Sequence, residues 1–141
     1  MRGNKDKISE LCRWVEKAEH DLITAKATIK LAKNCPYDMV CFHAQQCVEK
    51  YIKSLLFWLN IDFPKTHDLR ILAQKLPRHI FESLDVDAVL ALNRYAIEAR
   101  YPDDWEPFSR LEAKSAIATS LLIRKLAHGH LPKTCWYKKK T

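Results

Sequence analysis

The chain has 141 residues, 48% hydrophobic, 29% charged and 10% aromatic, a balance that excludes a disordered chain and suits a single domain with a real core. Its two glycines, Gly3 and Gly129, stand at the ends, which excludes the Gly-rich phosphate loops of P-loop and dinucleotide-binding folds and leaves side chains to hold any nucleotide. The net charge of +7 is concentrated at the termini, where Lys133, Lys138, Lys139 and Lys140 form a basic tail that reads as a solvated end with weak, salt-sensitive attraction to RNA.

The first predicted helix covers roughly residues 6 to 33, because Ile8, Leu11, Val15, Ala18, Leu22, Ala25, Ile29 and Ala32 alternate steps of three and four. Asn34-Cys35-Pro36 should stop it, since the residue before a proline is pushed out of the helical region. A second helix, from about Tyr37 to Leu59, is expected to be the most buried of the chain. Thr66 is a plausible cap for a short helix over about Asp68 to Leu76, which Pro77 ends. Asp85 then caps a helix that stops before Pro102, and a last helix runs from about Phe108 to Ala127, with Leu111, Ala116, Ile117, Leu121, Ile123 and Leu126 as its apolar positions. These elements predict an all-α, antiparallel bundle of four main helices with one short extra helix, in a single domain over residues 1–141 with its core at 8–127 and a basic tail at 128–141.

The five cysteines are odd in number, and the spacing of Cys35, Cys41 and Cys47 fits no zinc pattern, so all five are expected to be free thiols in a reducing cytoplasm. No His, Asp and Glu set has metal-ligand spacing on one helix face, and neither a metal nor a cofactor is expected. The N-terminus lacks an apolar signal core and no stretch approaches the roughly 18 apolar residues of a membrane span, so no membrane association is expected.

Chemistry concentrates in two places. His43, Gln46, Lys50 and Lys53 interrupt the second helix at steps of three, four and three and form one polar ridge, while Glu49 can pair with Lys53. They suit either a solvated face with a salt bridge or a binding surface. Arg100-Tyr101-Pro102-Asp103-Asp104-Trp105 gathers a cation, two carboxylates and two aromatic rings after a helix. Arginine offers a fork for phosphate and the rings offer stacking faces, although a braced turn would use the same residues.

Taken in order, Trp14 with Ala18-Glu19-His20-Asp21-Leu22, Phe42-His43-Ala44-Gln45-Gln46-Cys47-Val48-Glu49-Lys50 with Lys53, Thr66-His67-Asp68-Leu69, Tyr95-Ala96 and Ala99-Arg100-Tyr101-Pro102-Asp103 resemble the successive signature blocks of the HEPN (higher eukaryotes and prokaryotes nucleotide-binding) domain family. The resemblance covers about residues 8 to 127. It implies a helical bundle that dimerises and is encoded beside a minimal nucleotidyltransferase, often as a toxin–antitoxin module. By the same resemblance a cleft lined by Gln46, Lys50, Lys53 and Arg100 would accept a nucleotide phosphate or RNA, with His43, His67, Tyr101 and Asp103 at its edge.

Active members of the family are metal-independent ribonucleases that carry an arginine and a histidine a few residues apart. Proton transfer by histidine and charge stabilisation by arginine suit cleavage by the RNA 2′-hydroxyl. Here Arg100 occupies the arginine position, but Trp105, Glu106 and Pro107 stand where the histidine is expected. The pairs Arg13 with His20 and Arg124 with His130 satisfy the spacing formally, outside the motif's place in the chain. The resemblance therefore implies a non-catalytic partner protein, with a ribonuclease toxin or a structural dimerisation module as alternatives.

Overall fold

The computed structural model describes residues 3–98 and 107–137. Helix α1 (Asn4–Thr28) buries Leu11, Val15, Ala18, Leu22 and Ala25, at the alternating steps that the heptad stripe predicts. It ends five residues short of the expected boundary. The Thr28 carbonyl accepts the Leu31 N–H at 3.1 Å and the Cys35 thiol at 3.3 Å, and Asn34 turns into the left-handed region at φ 53°. Asparagine tolerates that conformation, so the chain reverses before Pro36 rather than at it.

Helix α2 (Tyr37–Trp58) sits at the centre, with its whole stretch from Tyr51 to Leu56 buried. Contacts along its length fix its neighbours' directions. Lys7 donates to the Trp58 carbonyl and Tyr51 bonds Glu19, so α1 runs antiparallel to α2. On the other side the Ser120 hydroxyl lies 3.0 Å from the Ala44 carbonyl and His128 lies beside Tyr51, so α7 (Arg110–His128) runs parallel to α2. Ala113, Ala116 and Ser120 are buried there, and such small residues let the two backbones approach.

Between α2 and α7 come the short helices α3 (Leu69–Gln74), α4 (Arg78–Phe81), α5 (Val86–Ala91) and α6 (Asn93–Glu98). The cap of α3 is Asp68, which accepts the Arg70 N–H, whereas the expected cap Thr66 accepts the N–H of Asp68 itself. Asp85 caps α5 as expected. The third of the four main helices comes in two pieces, α5 and α6, parted at Leu92, where the side chain of the next residue, Asn93, accepts the Leu69 N–H and donates to Asp68, both at 2.8 Å. The bundle is all-helical, and no strand occurs among the described residues.

Three further expectations change. Leu111 and Leu121 were assigned to the buried face of α7, yet they lie exposed with Leu122, and the inward face is Ala113, Ala116, Ile123 and Ala127. The start of the basic tail is packed: a 3-10 turn at Lys133–Cys135 buries Leu131 and Cys135 against the bundle. Cys12 and Cys135 are paired as a disulfide, so they are not free thiols; Cys35, Cys41 and Cys47 are. The sequence hides this pair because 123 residues separate its members. No helix among the described residues is long and apolar enough to cross a membrane.

Candidate functional site

The polar residues of α2 sort into two groups, each built on one carboxylate. Asp21 of α1 receives His43 Nδ1 at 2.8 Å on one oxygen and the Lys50 ammonium on the other. Glu49 receives His67 Nδ1 at 2.8 Å on one oxygen and Lys53 Nζ at 3.2 Å on the other. Each carboxylate thus bridges a histidine and a lysine. The ridge expected from spacing is divided: His43 and Lys50 pair with Asp21 of α1, and Lys53 pairs with Glu49, which also holds His67 of the loop before α3.

Local sequence explains the arrangement. Asp21 lies between the core positions Ala18 and Leu22 of α1 and so points into the α1–α2 seam, where it is buried. Glu49 and Lys53 are four apart and buried together, which requires that the charges be paired. Gln45, fully buried one turn before Glu49, donates to the His67 carbonyl at 3.3 Å and to Glu49 at 3.4 Å, while Gln46 donates to Gln45 Oε1 at 2.6 Å. The Thr66-His67-Asp68-Leu69 block is therefore fastened to the middle of α2 through both backbone and side chain.

Accessibility separates the groups. His67 is 57% exposed over a Glu49 that is 3% exposed, and Lys50 and His43 are about a quarter exposed. In a neutral imidazole, a carboxylate facing Nδ1 holds the proton there and leaves Nε2 as an acceptor. The described cluster can thus offer one half-open cation, Lys50, one amide, Gln46, and two acceptor nitrogens. Lys53 is buried against Glu49, and Arg100, Tyr101 and Asp103 lie outside the described residues. Among the described residues no group of three His, Cys, Asp or Glu side chains is arranged to hold a metal ion.

A third polar cluster was not foreseen. Buried Glu19 accepts from the Tyr51 hydroxyl and from Arg124 Nε, and His128 Nε2 lies 3.4 Å from the same hydroxyl. Burial and the Glu19 bond push the Tyr51 phenol far up, and burial with the nearby Arg124 holds His128 below the ordinary histidine range. Glu19 stands in the same block as Asp21, so a charged residue inside a buried stripe was the available signal. Trp136 covers His128 in a parallel stack with ring centroids 4.7 Å apart. His79 and His130 are exposed.

The model of the HEPN domain matches residues 11–130. Among solved structures, TT1696 from Thermus thermophilus superposes with a TM-score of 0.71 at 28% identity, covering 86% of this chain and 98% of that one. ST0689, an archaeal HEPN homologue, gives a TM-score of 0.63 at 24% identity, covering 84% of this chain and 95% of the other. No match is found among curated proteins.

Proposed function

The chain belongs to the HEPN domain family, and from that premise we propose that it is a nucleotide- or RNA-associated protein working as the partner of a minimal nucleotidyltransferase, in a module of the toxin–antitoxin kind, without catalysing a reaction by itself. The observation that carries this reading is the half-open Lys50, held with His43 on Asp21 beside Gln46. A lysine kept in place by a carboxylate is pre-positioned, and the higher charge density of a phosphate can draw it over. Gln46, Lys50 and Arg100 are the proposed phosphate contacts, and Lys53 supplies positive potential behind them. No resident metal or cofactor is part of the proposal.

The protein is proposed to act as a homodimer. In support, Leu111, Ala118 and Leu122 are exposed along one stripe of α7, a patch with more apolar surface than a solvated helix needs. The proposed compartment is the cytoplasm, where Cys12 and Cys135 would stand as an adjacent reduced pair.

One observation favours a second reading, a metal-independent ribonuclease. His67 is open to solvent and oriented by Glu49, the arrangement of a general base. The missing histidine after Arg100 weighs against it.

Binding of RNA and of nucleoside triphosphate to wild type, Lys50→Ala and Arg100→Ala, with an RNA cleavage assay in the absence of any partner, tests the proposal. Each variant is expected to lose about 1.5–3 kcal/mol of binding, the value of a charge-assisted bond, with its fold intact. Binding that survives both substitutions would make Lys50 and Arg100 structural braces. Cleavage lost in His67→Ala would favour the ribonuclease.

A further inference from the structure

The end of α7 and the 3-10 turn after it border an open cleft of about 650 Å³ lined by Arg124, Lys125, His128, Lys133 and Trp136. Three of its lining residues, Leu131, Lys133 and Trp136, lie beyond residue 130, where the family match ends, so this chain's own C-terminal segment supplies one wall of the cleft. We propose that it is a second binding site, for a nucleoside phosphate, either free or as one unit of a single strand.

The size, the walls and the charge all fit. A volume of several hundred Å³ is that of a small-ligand site. Trp136 and His128 stack at an interplanar angle of 13°, giving a flat aromatic wall of the kind on which bases stack, and Lys133 Nζ lies 5.8 Å from the Trp136 ring centroid. The indole Nε1 has no hydrogen-bond partner among the described residues, so the ring is held by its faces. Burial and Arg124 keep His128 neutral near physiological pH, which suits a stacking partner rather than a charge.

Phosphate would be met by Lys125 and Lys133, both exposed and both lining the cleft with Arg124, whose Nε is taken by Glu19. The usual objection to an anion at a helix C-terminus is its free carbonyls. Here those of Lys125, Leu126 and Ala127 accept the N–H groups of Gly129, His130 and Leu131. The turn that carries Trp136 is packed onto the bundle by buried Leu131 and by buried Cys135, whose sulfur lies 3.5 Å from the Ile8 carbonyl of α1, so the wall stands before any ligand arrives. This site is separate from the Lys50 ridge and does not rest on the reading of that ridge.

Calorimetric titration of the full chain with adenosine 5′-monophosphate, inorganic phosphate and a hexa-adenylate tests it. Saturable binding of the nucleotide is expected, weakened about tenfold in Trp136→Leu and in Lys133→Ala and largely kept in Trp136→Phe, which preserves a stacking face. Tighter binding of the oligonucleotide would make a single strand the source, and equal binding a free nucleotide; both support the site. Phosphate binding as tightly as the nucleotide overturns the stacking wall. No saturable binding, or binding lost in Lys50→Ala and untouched in Trp136→Leu, overturns the proposal. The Trp136→Phe variant separates loss of a binding face from loss of fold.

Discussion

His67 Nδ1 stands 2.8 Å from Glu49 Oε1, and this contact joins the loop before α3 to the middle of the most buried helix. Glu49 also holds Lys53, so one carboxylate balances two neighbours in a nearly dry place. Glu49→Ala leaves Lys53 buried without its partner, and urea denaturation is expected to show a loss of about 3–5 kcal/mol. Adding Lys53→Met should restore a good part of it. A loss under about 1 kcal/mol would mean that Lys53 reaches water.

The His128 stack predicts a pH dependence. Burial and Arg124 lower its native pKa, whereas the unfolded chain has the ordinary value of about 6.5. As pH falls, the unfolded state takes up the proton first, so this contribution to stability is full above about pH 6.5 and is lost as pH drops through the depressed native value. Thermal melts between about pH 7.5 and 5 should fall, and His128→Gln should flatten the part of the fall that begins near pH 6.5.

Reduction should loosen the C-terminal turn. Cys12 and Cys135 close a loop of 123 residues, for which the chain-entropy estimate is about 4–5 kcal/mol and the usual measured range about 2–4 kcal/mol. Cys12→Ser is expected to lose stability within that measured range under non-reducing conditions and to abolish the effect of dithiothreitol. Identical melts with and without reductant in the wild type would show that the two sulfurs are not bonded in solution.

Exposed Leu122 on α7 supplies the test of self-association. Light scattering at tens of micromolar should give a dimer for the wild type and a monomer for Leu122→Glu with unchanged helicity. A charge placed in an apolar interface core is costly, while on a solvated face it is neutral. A dimeric Leu122→Glu would move the interface off this stripe.

Much of the fold was legible. The heptad of α1 and the all-round apolar α2 name their own cores, from Leu11 to Ala25 and from Val40 to Leu56, because period and burial are local properties of the chain. The break at Leu92 was not legible, since the partner of the adjoining Asn93 is the Leu69 N–H, 24 residues away. Nor was the inward face of α7, where alanines pack and leucines point outward, inverting the expected order of burial. At the site, spacing placed His43, Gln46, Lys50 and Lys53 on one helix. Which carboxylate each cation takes depends on how α1 and the α3 loop approach, and that is fixed by tertiary packing. Asp21 was readable only as a charge between two core positions.

Purification of the tagged full chain from its native host, with mass-spectrometric identification of everything bound to it, tests the proposed role most directly. A minimal nucleotidyltransferase in stable complex, with nucleotide or RNA released on denaturation and the nucleic acid lost in Lys50→Ala, is the predicted result. Recovery of this protein alone, with neither partner nor nucleotide, would contradict the account.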